Sequence, residues 1–152
     1  MSGLYLHIPF CRKRCTYCDF HFSTTFENYR SSLIRALVKE LVLRSTKFNG
    51  SIQTIYFGGG TPSILNESEL SLIFDTIGQH YIVAPDAEIS FEANPEDITL
   101  ENLTTWKSVG INRLSIGLQT FSDADLQWMN RAHLVSDGLE GSRLAQQLGF
   151  DH

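Results

Sequence analysis

The sequence is short of several features that would assign it a class, and each shortage excludes something. It has only three cysteines in 152 residues, all within Cys11–Cys18, too few and too close for a disulfide framework. No apolar run approaches the ~18 residues that a membrane-spanning helix needs, so no membrane span is expected. Positive charge is not in excess: twelve Lys and Arg stand against seventeen Asp and Glu, for a net −5. That balance argues against a nucleic-acid partner. A secretory signal is missing too, because the first apolar stretch is broken by His7 and Pro9 and then meets Arg12, Lys13 and Arg14. Low-complexity segments and linkers are absent. With 42% hydrophobic and 19% charged residues, the composition is that of one globular domain with a real core. The expected compartment is the cytoplasm. There thiols stay reduced, so clustered cysteines point to metal binding or catalysis.

What is present is a regular alternation. Leu4–Ile8, Thr54–Phe57, Glu88–Ala93 and Arg113–Leu118 read as four short strands, nearly continuous in apolar content, as expected of parallel strands buried on both faces. Between them fall helices. Asn28–Ser45 carries an apolar stripe at Leu33, Ile34, Leu37, Val38, Leu41 and Val42. A second helix starts at Asn66 with Glu69 as its third-position carboxylate and continues through Leu70, Ile73, Phe74 and Ile77. A third runs from Thr99 to about Val109 and is stopped by Gly110. Helical pieces near Ser122–Asn130 and Asp137–Leu148 follow. Each helix must carry the chain back to the start of the next strand, so the class is α/β with a parallel sheet. Four βα units cannot close an eight-fold barrel. The sheet is therefore open, or the chain is part of something longer whose fifth strand would begin after Gly149.

The unusual residues cluster at the strand ends, where α/β proteins bind their ligands. The cysteines follow the first strand, Gly58-Gly-Gly-Thr-Pro62 the second, Glu92 closes the third and Gln119 the fourth. The C-x3-C-x2-C spacing of Cys11, Cys15 and Cys18 is the most specific signal. Iron–sulfur cubanes usually take four thiolates; three leave one iron open, as catalytic metal sites keep a position for substrate. A closed zinc site with His21 as fourth ligand is the alternative, and buried thiols without metal a third, which Arg12, Lys13 and Arg14 disfavour because they put the segment at the surface and favour ionised sulfur. Each strand-end residue also has a plain reading. The glycines can form a tight turn, Glu92 can cap a loop, and Arg131 can be a solvated helix-end charge. His7 suits a core position as well as a functional one. His133 reads as a surface residue, with a reach toward a porphyrin as the alternative.

The triad, with an aromatic before its last cysteine, resembles the signature of the radical S-adenosylmethionine (SAM) superfamily. Leu4-Tyr-Leu-His-Ile-Pro-Phe-Cys11, Tyr56-Phe-Gly-Gly-Gly-Thr-Pro-Ser63 and Gly110-Ile-Asn-Arg-Leu-Ser-Ile-Gly-Leu-Gln119 are similar to a narrower group. That group is the oxygen-independent coproporphyrinogen III oxidase family with its heme-chaperone relatives of the HemW type. The resemblance covers the chain from Leu4 to Phe150. It implies a partial (β/α)6 barrel of which residues 1–152 supply the first four βα units, the rest of the barrel and a C-terminal domain lying beyond. It also implies a [4Fe–4S] cluster on Cys11, Cys15 and Cys18, with SAM chelating the open iron. Electron transfer to its sulfonium then yields a 5′-deoxyadenosyl radical, difficult chemistry that belongs to the cofactor. By the same resemblance Tyr5 and Tyr17 lie beside the cofactor, Tyr17 against the adenine. Gly59, Gly60 and Thr61 approach the methionine moiety, Glu92 the ribose, and Gln119 and Arg131 contact SAM, the Arg131 guanidinium suiting its carboxylate.

Within that family the oxidases tend to carry a further cysteine two residues after the third, and this chain has Phe20 there. Oxidases also have a long extension before the first strand, whereas this sequence starts three residues ahead of it. Both departures favour the chaperone branch, which binds heme as cargo and passes it to respiratory proteins. No residue is assigned as catalytic. The partners implied are heme or porphyrin, heme-accepting respiratory proteins and an electron donor for the cluster, with an active oxidase as the alternative.

Overall fold

The computed structural model describes residues 2–150. Four parallel strands, β1 (Gly3–Ile8), β2 (Ser51–Gly59), β3 (Ile82–Ala93) and β4 (Arg113–Ile116), form one sheet in the order β1-β2-β3-β4. Helices α1 (Arg30–Ser45), α2 (Glu67–His80) and α3 (Leu100–Ser108) connect them, and α4 (Asp123–Trp128) and α5 (Val135–Gln147) follow β4. The strand order equals the chain order, so every crossover leads to the adjacent strand. The fifth strand expected after Gly149 lies outside the described residues.

Local sequence sets most helix ends. Asn66 accepts from the Glu69 amide at 2.9 Å while Glu69 accepts from the Asn66 amide, a complete capping box for α2. Thr99 and Ser122 cap α3 and α4 through their hydroxyls. Gly110 takes φ +100° just past α3, a conformation that favours glycine. Glu69 also holds Arg30 in a two-point contact, Nε at 2.7 Å and Nη2 at 2.6 Å, which ties the start of α2 to the start of α1.

The register divides the sheet into two unlike faces. Leu6 pairs with Phe57, Phe57 with Phe91, and Phe91 with Leu114. That face joins Ile34 and Leu41 of α1, Leu70, Ile73 and Ile77 of α2, and Leu103 and Trp106 of α3 in one buried core. The other face reads Tyr5, His7, Tyr56, Glu88, Ser90, Glu92, Arg113 and Ser115. The expectation of strands apolar on both sides is thus corrected: one face is sealed by helices, the other is polar throughout. Short strands mixing one aromatic or aliphatic residue with one polar residue conceal that alternation.

Other differences have local causes. β3 begins at Ile82 rather than Glu88. Pro85 falls inside the longer strand, where the register jumps between Ile52–Val83 and Thr54–Glu88, and an irregularity of that kind accommodates proline inside a strand. β4 ends at Ile116, before Leu118. Only Ile34 and Leu41 of the α1 stripe are fully buried. His133, expected at the surface, is 3% exposed.

Phe91 is the centre of the sealed face, with ring centroids 5.5 Å from Phe57 and 5.1 Å from Trp106. Phe91→Ala is expected to destabilise the fold by about 3–5 kcal/mol, the range for truncating a buried aromatic. Chemical denaturation of the full-length protein measures it, and a loss below about 1 kcal/mol would show a site free to collapse.

Candidate functional site

The site is assembled on the loop that leaves β1. Phe10 is fully buried against Phe26, ring centroids 4.6 Å apart, so the chain is anchored immediately before Cys11. The Cys11 amide donates to the Ser23 carbonyl (3.0 Å) and the Ser23 amide to the Pro9 carbonyl (2.9 Å), closing the loop at its base. Its middle is tied to the segment after α4: the Thr16 amide donates to the Met129 carbonyl (3.2 Å) and Asn130 Nδ2 to the Arg14 carbonyl (2.7 Å). Arg12 pairs with the buried Asp97, whose other oxygen accepts from the Ser63 hydroxyl at 2.5 Å. Burial pushes the Asp97 carboxyl up, and the Ser63 and Arg12 contacts pull it back. The three cysteines are half-buried and unpaired.

They line a cavity of about 380 Å³ with Tyr17, Phe20, Gly59, Gly60, Thr61, Glu92, Gln119 and Arg131. The ends of β2 and β3 deliver Gly59, Gly60, Thr61 and Glu92. Gly60 sits where β2 passes the cysteine loop: its amide donates to the Ile8 carbonyl (2.9 Å), and a Cβ there would stand 2.6 Å from the Phe10 carbonyl oxygen. A Cβ on Gly59, at φ +114°, would meet the His7 ring at 2.7 Å. Both glycines therefore serve close approach of this chain to itself. The Thr61 hydroxyl donates to Cys11 Sγ at 3.4 Å. The Glu92 carboxylate accepts from the Tyr56 hydroxyl (2.7 Å) and the Gly59 amide (3.2 Å), which fixes its rotamer at the cavity wall.

Of the residues that the resemblance assigns to the cluster or to SAM, only Tyr5 falls outside the cavity lining. It is on the same polar face, its hydroxyl 3.0 Å from His7 Nδ1 and its ring stacked on Tyr56. Gln119 lines the cavity from a loop, at φ +67°, and not from the end of β4. Arg131 is no solvated charge: Nη2 donates to Asn94 Oδ1 and to the Gly117 carbonyl, both at 2.9 Å, and Nη1 to Cys15 Sγ at 3.5 Å. Sequence reasoning missed Asn94, Glu96 and Ser115 in the lining. Asn94 and Glu96 belong to the same Glu92–Glu96 stretch that offered Glu92, and the proline between them marks a turn at a strand end.

The donor set suits a polynuclear group better than one ion. Among the described residues no three His, Cys, Asp or Glu side chains converge on a single metal position, so the zinc arrangement with His21 has no ready-made cage. The three thiols do line one cavity, and a cubane would take one thiolate on each of three irons rather than three on one ion. Burial pushes the Cys11 thiol up, opposed by the Thr61 hydroxyl, while the Cys18 and Cys15 sulfurs push it further and Arg131 pulls it down. Mutual repulsion among ionised sulfurs is what bound iron relieves. A side wall carrying a carboxylate, a guanidinium and an amide suits a polar, zwitterionic nucleoside beside such a cluster.

The chain is similar along nearly its whole length to known proteins. Heme chaperone HemW of Mycobacterium tuberculosis (strain CDC 1551 / Oshkosh) is 38% identical over 154 residues, covering 99% of this chain and 40% of the relative. Heme chaperone HemW of Bacillus subtilis (strain 168) is 35% identical, covering 100% of this chain and 41% of the relative. Among solved structures, coproporphyrinogen III oxidase (HemN) from Escherichia coli, described as a radical SAM enzyme, matches with a TM-score of 0.91. It is 32% identical, over 99% of this chain and 35% of that one. The chain thus spans about two fifths of the length of the curated relatives it matches, and its parallel α/β unit has the HemN fold. Together with a family model that matches residues 5–152, these likenesses place the chain in the radical SAM superfamily.

Proposed function

We propose that the protein containing this chain is a radical SAM protein of tetrapyrrole metabolism, and specifically a heme chaperone that binds heme and transfers it to respiratory proteins. Superfamily membership implies a [4Fe–4S] cluster and SAM. The observation that carries the reading is the convergence of all three cysteines with Thr61, Glu92, Gln119 and Arg131 on one cavity. When bound, the cluster and SAM supply one-electron reduction at the sulfonium. The residues do the holding. Cys11, Cys15 and Cys18 ligate iron, Tyr17 packs on the adenine, and Gly59, Gly60 and Thr61 border the methionine moiety. Glu92 accepts from the ribose, Gln119 and Arg131 contact the amino-acid end, and Tyr5 supports the face beside them. The chain supplies the first four βα units of the core, a reading supported by its share of the relatives' length. The cytoplasm is the proposed compartment. Among the described residues no helix is long and apolar enough to cross a membrane.

The chaperone reading draws support from the names of the curated relatives and from Phe20. Its ring is 72% exposed and lines the cavity at the position where the resemblance gives oxidases another thiol. The oxidase reading has the HemN likeness in its favour. Turnover separates the two.

Anaerobic reconstitution of the full-length protein is expected to give about four irons per chain, the stoichiometry of one cubane. Alanine at Cys11, Cys15 or Cys18 should abolish it, while His21→Ala should not. A full iron complement in any single cysteine variant would overturn the ligand assignment.

Glu92→Ala is expected to retain the cluster and weaken SAM binding. Loss of a hydrogen bond to a charged group costs about 1.5–3 kcal/mol, roughly ten- to a hundredfold in affinity. Calorimetry on the loaded protein measures this, and unchanged affinity would remove Glu92 from the cofactor site.

With SAM and a reductant present, the loaded full-length protein should bind heme, seen by its absorption band, and leave coproporphyrinogen III unconverted on chromatography. Sustained multiple turnover would assign it to the oxidases instead. Heme transfer to an apo-respiratory enzyme then tests the chaperone role.

A further inference from the structure

The polar atoms that the fold leaves unpartnered form one connected group. Among the described residues, the buried side-chain nitrogens and oxygens without a hydrogen bond are Glu96 Oε2, Arg131 Nε and both ring nitrogens of His133. The His133 side chain is 1% exposed, and its Nδ1 lies 3.5 Å from Glu96 Oε2. From Glu96 the polar contacts run on to the thiols. Asn94 Nδ2 donates to Glu96 Oε1 (3.3 Å), Arg131 Nη2 donates to Asn94 Oδ1 (2.9 Å), and Arg131 Nη1 donates to Cys15 Sγ (3.5 Å).

We propose that Asn94 and Glu96 are positioning residues that aim the Arg131 guanidinium at the Cys15 sulfur and thereby raise the reduction potential of a cluster held by that sulfur. The proposal rests on the reading of Cys15 as a cluster ligand. Its logic is directional. The guanidinium is a donor only, so the Asn94 amide turns its oxygen toward Arg131 and its NH2 toward the accepting Glu96 oxygen. The reversed amide would set oxygen against carboxylate and NH2 against guanidinium. Asn94 Oδ1 and the Gly117 carbonyl together occupy Nη2, which leaves Nη1 to face sulfur. Asn94 is itself fixed through its backbone, its amide donating to the Ser63 hydroxyl at 3.3 Å. Burial holds His133 below its ordinary range, with Arg131 acting in the same direction and Glu96 opposing them.

The consequence is electrostatic. Arg131 is charged at any working pH, and it donates to a ligand sulfur inside a half-enclosed cavity. One-electron reduction makes the cluster more negative, so a fixed cation and donor at its sulfur favour the reduced state. A lysine at 131 would keep the charge but could not satisfy two oxygens and a sulfur from one planar fork.

The test is the midpoint potential of the full-length, cluster-loaded protein without SAM, followed spectroscopically in an anaerobic redox titration. Arg131→Gln should lower the potential. Asn94→Leu should lower it in the same direction by less, and the double variant should fall no further than Arg131→Gln alone, because both act through one contact. Asn94→Ala takes the place of leucine if the larger side chain prevents loading. A scaffold role for Asn94 would reduce iron content or thermal stability yet leave the potential of the loaded fraction unmoved. An unchanged potential in fully loaded Asn94 variants, or strict additivity with Arg131→Gln, would overturn the proposal. Failure of the ligand reading is separate and shows as full iron content in Cys15→Ala.

Discussion

A loop bearing three cysteines can face the ends of the neighbouring strands only if the chain that separates them is thin enough. Residue 60 is where that is decided. The Gly60 amide bonds the last residue of β1, and the Phe10 carbonyl occupies the space a Cβ would need. Any side chain at 60 would push β2 and the cysteine loop apart. Because the contact is between backbones, neither partner can yield by changing rotamer. Thr61, the next residue, is thereby held against Cys11, and Gly59 leaves room for the His7 ring. The Gly-Gly-Gly-Thr stretch is thus a spacer between two layers of chain before it is anything a ligand would touch.

The polar face of the sheet extends the same constraint outward. Helices cover only the face that carries Leu6, Phe57, Phe91 and Leu114. On the other face, tyrosine, glutamate, serine and arginine side chains alternate across four strands, and these groups bond to one another: Tyr56 to Glu92, Arg113 to Ser90 and Glu88. Such pairs satisfy polar groups that would otherwise be costly on a partly enclosed surface. They also hold Glu92 still. A carboxylate with two fixed donors loses less freedom on meeting a ligand than one on a mobile rotamer, so its affinity is set in advance of binding.

Much of this was legible in the sequence, and the exceptions share a physical origin. Helix starts were readable because Asn66, Thr99 and Ser122 act on amides three residues away. The number and direction of the strands followed from alternation with helices, and the cysteine loop from spacing alone. What escaped depended on partners distant in sequence. The beginning of β3 is one case, because a register jump against β2 is a property of the pair. The burial of His133 and the contacts of Arg131 arise because α5 and the segment before it fold back over the end of β3. Nothing near residue 133 announces that. Asn94 and Glu96 were passed over for a different reason: beside Glu92 they look like ordinary turn residues, and their role appears only once Arg131 is brought to them.

Charge distribution completes the argument. The chain is acidic overall, yet the cysteine loop carries Arg12, Lys13 and Arg14, and Arg131 faces it from across the cavity. These cations do not play one role. Arg12 is spent on the buried Asp97, holding the loop to the turn after β3. Arg131 is held by neutral oxygens, Asn94 Oδ1 and the Gly117 carbonyl, and among the described residues it makes no direct ion pair. A guanidinium bonded to neutral acceptors keeps its field for whatever lies beyond it, and here that is sulfur. Glu96 reaches this group through the Asn94 amide, which donates to its Oε1 at 3.3 Å. Among the described residues the two charges are thus differently placed: Arg12 is tied to Asp97, while Arg131 reaches the Cys15 sulfur.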